Sequence, residues 1–92
     1  MNSKRVVVTG LGLLTPLGND VVSSWDAIKN GRSGIGPIEH FDVSGFSTRF
    51  GGSLKDFNCK DFMEPKEARR IDIFMQYGIA AGVQAFEDSG LT

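Results

Sequence analysis

The residues suited to chemistry in this sequence are the turn Gly10-Leu11-Gly12, His40, Cys59 and the basic set Lys66, Arg69 and Arg70. A phosphate-cradling turn needs G-x-G-x-x-G running straight into a helix, whose free amides hold the pyrophosphate. Here Thr15 stands where the third glycine belongs, and Pro16 follows it. About twenty residues further on, Lys29-Asn30-Gly31-Arg32 offers no acid for a ribose. The spacing therefore argues against a dinucleotide site. His40 sits between Glu39 and Phe41, with no second histidine or cysteine at ligand spacing. It reads as an ordinary loop residue rather than a base or a metal ligand. Cys59 has Lys60 beside it, which can lower a thiol pKa. An acyl-accepting nucleophile, however, belongs on a strand-to-helix turn with donors waiting for an oxyanion. Cys59 falls in a polar stretch and reads as non-catalytic.

Lys66, Arg69 and Arg70 are spaced i, i+3 and i+4, so on one continuous helix they share a face. Pro65 starts that helix, which puts the cations at its positive end at a cost of about 0.3–1 kcal/mol each. Basic residues held against the dipole point to an anionic partner. The plainer reading is a solvated face, with Arg69 paired to Asp72 and Glu67 close by.

The elements that must position these residues follow from pattern. Val6-Val7-Val8 is β-branched and apolar on both sides, which predicts a central strand there in a sheet covered on both faces. Gly10 and Gly12 then allow close backbone approach, and Thr15-Pro16 keeps the connection a loop. Asn19 or Asp20 caps a helix carrying Val21, Val22, Trp25 and Ile28 at helical spacing, which Asn30-Gly31 ends. Trp25 is expected to bury this helix against the sheet. Residues 31–45 read as loop, 46–54 as holding a short strand, and 55–63 as polar loop. A long helix is expected from Pro65 to about Asp88, with Ile71, Phe74, Met75, Gly78, Ile79, Gly82 and Phe86 as its apolar stripe. Gly78, Ala81, Gly82 and Ala85 keep it thin enough to pack on another backbone.

Composition bounds the class. The 92 residues are 40% hydrophobic and 23% charged, the balance of a globular chain rather than a disordered one. A net charge of -1 argues against a general nucleic-acid binder. One cysteine precludes an internal disulfide and fits a reducing cytoplasm. The polar start Met1-Asn2-Ser3-Lys4-Arg5 does not read as a secretion signal. No apolar run approaches the ~20 residues that a membrane span requires.

Val-Val-Val-Thr-Gly-Leu-Gly at 6–12 followed by Thr15-Pro16-Leu17-Gly18-Asn19 resembles the opening of the β-ketoacyl-[acyl-carrier-protein] synthases, condensing enzymes of fatty-acid synthesis. The likeness continues through Trp25, Gly31-Arg32-Ser33-Gly34-Ile35, Glu39-His40-Phe41-Asp42, Lys55-Asp56-Phe57-Asn58-Cys59, Gln76-Tyr77-Gly78 and Asp88-Ser89-Gly90-Leu91. It is strongest toward the bacterial branch that elongates long acyl chains. It covers nearly all of this chain but only the first part of the family's sequence. The resemblance implies an α/β fold: the beginning of a thiolase-like, layered αβαβα arrangement, incomplete in this chain. Residues 1–92 are then a truncated N-terminal portion of the family's N-terminal domain.

The resemblance also implies a decarboxylating Claisen condensation on acyl and malonyl thioesters, by a cytoplasmic homodimer without metal or cofactor. The family's catalytic cysteine, histidines and lysine match no position here, and the cysteine's small-residue motif lies beyond residue 92. No catalytic residue is assigned, and the segment alone is expected to be inactive. Lys66, Arg69 and Arg70 match the family's docking patch for acyl carrier protein, which is strongly acidic. A non-enzymatic carrier-binding module, a polyketide-type ketosynthase and its chain-length partner remain alternatives. The strand that wants covered neighbours and the long helix with no strand after it predict an unfinished layer, with exposed apolar faces that make the segment poorly folded or aggregating when expressed alone.

Overall fold

Hydrogen-bonded elements start at residue 21 and stay short until the last of them. The structure is a computed structural model and describes residues 3–91. These run through α1 (Val21–Lys29), β1 (Ile35–Pro37), β2 (Phe50–Gly52), a 3-10 turn (Cys59–Asp61), α2 (Pro65–Ala68) and α3 (Ile73–Ser89).

α1 begins where the sequence says it should. Asp20 is extended, and its carboxylate accepts from the Ser23 amide at 2.8 Å and the Ser23 hydroxyl at 2.6 Å. The helix ends through left-handed Gly31 (φ 68°), with the Gly31 amide on the Ile28 carbonyl and the Arg32 amide on that of Ala27. The buried face, however, is Ser24 and Ala27, not Trp25, which is 58% exposed. Ser24 packs on the tight turn Thr15–Gly18, sharing a hydrogen bond with the Thr15 hydroxyl (2.8 Å) and donating to the Gly18 carbonyl (3.2 Å). Only small residues permit so close an approach, and the sheet among the described residues is the two-stranded β1–β2 pair, not a central layer that would receive the indole. The burial expected of Trp25 is therefore corrected.

β1 and β2 form an antiparallel pair with Ile35 opposite Gly52 and Pro37 opposite Phe50. The strand expected within 46–54 is β2. The expectation of unbroken loop over 31–45 misses β1. Proline is tolerated there because a two-stranded ladder has an edge at every strand, where a missing N–H costs nothing. Lys55 fastens the pair to the preceding loop: its Nζ donates to the carbonyls of Pro16 (3.0 Å) and Gly34 (3.3 Å), and its own carbonyl accepts from Asn19 Nδ2 (2.9 Å).

Residues 10–13 pack closely on α3. A Cβ on Gly10 would strike the Ala85 carbonyl oxygen, and one on Gly12 that of Ala81. The backbone approach expected of these glycines, and of Ala81 and Ala85, is what forms, whereas Gly78 and Gly82, expected to share in it, are exposed with nothing within 4 Å of a Cβ. The Leu11 amide donates to Asp88 Oδ2 and the Leu13 amide to Gln84 Oε1, each at 3.0 Å. The periods match: two extended residues advance about 6.6 Å and four helical residues about 6.0 Å. Alternate amides of the extended segment thus meet side chains one helical turn apart, and the glycines between them meet the alanines. Gln84 Nε2 also donates to the Asn19 carbonyl, locking the loop before α1 to the same helix.

The remaining apolar surface is not covered. Val6, Val7 and Val8 are extended as expected but pair with no strand among the described residues, and Val6 is 92% exposed. The central-strand expectation fails for lack of a neighbour, since a strand exists only as part of a ladder. The expected stripe of α3 faces outward too, with Phe74 68% and Phe86 55% exposed. α3 buries Ala80 and sets Ala81 and Ala85 against the glycine segment, while Gly78 and Gly82 are exposed. Buried apolar side chains among the described residues are Ala27, Ala68 and Ala80. The accessible surface is 7568 Å², against about 5,200 Å² for a compact folded chain of this mass. The radius of gyration is 16.7 Å, against about 12 Å.

Candidate functional site

The basic set lies where the chain folds back between the 3-10 turn and α3. Asn58 caps the 3-10 turn through its side-chain oxygen, which accepts from the Lys60 amide at 3.0 Å. The Cys59 carbonyl then accepts from the Phe62 and Met63 amides at 3.0 and 2.9 Å. Phe57 stacks on Phe62 (centroids 6.1 Å, interplanar 8°) and meets Tyr77 of α3 edge-on at 5.0 Å. These rings fix the turn against α3.

α2 follows as a single turn with Pro65 at its start, and the Glu64 carbonyl accepts from the Glu67 and Ala68 amides. It stops at Arg69. The single helix expected from Pro65 to about Asp88 is thus two helices, broken at residues 69–72. Asp72 is extended at the N-cap of α3, its carbonyl accepting from the Met75 and Gln76 amides at 3.0 and 3.2 Å. Asp72 was the readable signal for this break, since aspartate favours the cap over the helix interior. Gln76 Nε2 donates to the Ala68 carbonyl at 3.0 Å and ties the two helices together across it.

The break alters the electrostatic argument for Lys66, Arg69 and Arg70. Lys66 lies in the last turn of α2, Arg69 is its C-cap, and Arg70 lies beyond it. α2 is a single turn with little dipole of its own, and Arg70 lies two residues before the Asp72 N-cap of the 17-residue α3, so the unfavourable position expected for the cations shifts to the start of α3. All three residues are exposed and fall within five positions of one another. Exposed Glu67 lies among them and exposed Glu64 just before them, and with α2 ending at Ala68 the shared helix face expected from one continuous helix is not formed.

The other sequence candidates take ordinary roles. His40 is exposed and lies edge-on to Phe41 at 4.7 Å. Cys59 is a free thiol, half-buried at the start of the 3-10 turn. Gly10 and Gly12 serve packing on α3. Asp42 has its carboxyl lowered by the Ser44 amide and then the Ser44 hydroxyl, a loop turn of its own. The sequence reading missed Gln84 and Asp88, whose i, i+4 spacing on the face of Ala81 and Ala85 was the available sign.

Over residues 3–92 the chain matches the model of the β-ketoacyl synthase N-terminal domain. The chain belongs to the β-ketoacyl synthase family. It is 60% identical over 91 residues to 3-oxoacyl-[acyl-carrier-protein] synthase 2 of Vibrio harveyi, covering 99% of this chain and 22% of that protein. It is 47% identical over 91 residues to the enzyme of the same name from Synechocystis, again 22% of that protein. The chain therefore spans about a fifth of the length of these curated relatives. Among solved structures, the ishigamide ketosynthase/chain length factor superposes with a TM-score of 0.84 at 31% identity, covering 94% of this chain and 21% of that one. The β-ketoacyl synthase chain thus takes up part of the thiolase-like α/β fold, as the sequence led one to expect. No helix among the described residues is long and apolar enough to cross a membrane.

Proposed function

We propose that this chain is the truncated amino-terminal portion of a 3-oxoacyl-[acyl-carrier-protein] synthase 2, a homodimeric cytoplasmic acyltransferase of fatty-acid elongation. The observation that carries this reading is the 60% identity over 91 residues to the Vibrio harveyi synthase. The 31% identity to the ketosynthase/chain length factor is lower, which favours the elongation enzyme over a chain-length partner. In the proposed reaction an acyl group passes from its carrier to an enzyme cysteine thiolate. Malonyl-carrier then loses CO2, and the resulting enolate carbon attacks the acyl thioester. The new carbon–carbon bond gives β-ketoacyl-carrier and frees the thiolate.

Within that enzyme this segment supplies scaffold and a docking face. Residues 10–13 clamped on α3 hold the scaffold in register. Lys66, Arg69 and Arg70 attract the acidic acyl carrier protein, mainly steering encounter and fixing orientation. The segment contributes no catalytic group, since neither Cys59 nor His40 has the setting of a nucleophile or base. The test is the double variant Arg69→Glu with Arg70→Glu in the full-length synthase. KM for carrier-bound substrate is expected to rise roughly tenfold, with little change for a small pantetheine thioester. Equal effects on both substrates would refute the docking role.

A further inference from the structure

We draw no further inference here: the strongest candidate, the unpartnered apolar face of α3 at Phe74 and Phe86, carries no proposal because nothing in the structure shows what covers it.

Discussion

Gly12→Ala is the sharpest test of how the extended segment is held. The added methyl would collide with the carbonyl of Ala81, and the Ala85 amide nitrogen would lie 2.8 Å away. Both are backbone atoms inside α3, so neither can turn aside as a side-chain tip would. Overpacking of this kind costs about 1–3 kcal/mol. Separation of the segment from α3 also strains the Leu13 N–H bond to Gln84 and the Leu11 N–H bond to Asp88. Gly82→Ala is the matched control. Gly82 lies within the same helix, and a Cβ there meets nothing within 4 Å. Alanine in an open helix interior stabilises by roughly 0.5–1 kcal/mol. The assay is native-state amide exchange of Leu11 and Leu13. Gly12→Ala should accelerate both roughly 5- to 150-fold, the range those energies imply. Gly82→Ala should leave them unchanged or slow them. If the two substitutions shift exchange in the same direction by similar amounts, the backbone-on-helix clamp is not what orders residues 10–13.

The remaining predictions concern association, acid and the thiol. The accessible surface exceeds that of a compact chain by about 2,300 Å², more than the ~1,200–2,000 Å² of a standard interface. Sedimentation should therefore show concentration-dependent association of the 92-residue chain, reduced by Val7→Lys or Phe86→Lys; a monodisperse sample with a cooperative thermal transition would refute this. The Asp20 carboxyl lies below its ordinary value because the Ser23 hydroxyl and then the Ser23 amide bond its charged form. Its contribution to α1 is complete above the unfolded carboxylate value of about 3.9 and is lost as pH falls through the lower folded value. Asp20→Asn keeps a capping oxygen and should remove that acid-dependent loss of helix signal by circular dichroism; an identical acid profile in the variant would count against the cap. Alkylation of Cys59 should leave activity of the full-length synthase nearly intact, and strong inactivation traced to this thiol by mass spectrometry would show otherwise.

Local chemistry was legible wherever a residue acts on its own neighbours. Asp20 caps, Gly31 terminates in the left-handed region, Pro65 opens a turn, and each follows from side-chain or backbone properties that need no tertiary partner. The close approach at Gly10 and Gly12 was legible too, because only an absent Cβ makes it available. Family membership was readable as many matched residues over the whole length. The exposure of the α3 stripe follows from the unfinished layer that the sequence predicts, and Asp72 carried a sign of the break at residues 69–72 that the apolar periodicity overrode. The exposure of Trp25 was not legible, since periodicity alone cannot say which face of a helix finds a partner.

The sequence by itself determined where helices begin and end around Asp20, Gly31, Pro65 and Gly90, which backbone positions had to stay bare, and the family to which the chain belongs. Tertiary structure alone decided that α3 presents Gln84 and Asp88 to the amides of Leu13 and Leu11. It also decided that Lys66 lies within a one-turn helix, Arg69 at its C-cap and Arg70 beyond it, rather than all three at the start of one long helix. The physical reason is range: caps and turns are satisfied within about four residues, whereas burial and pairing depend on what the rest of the fold brings alongside.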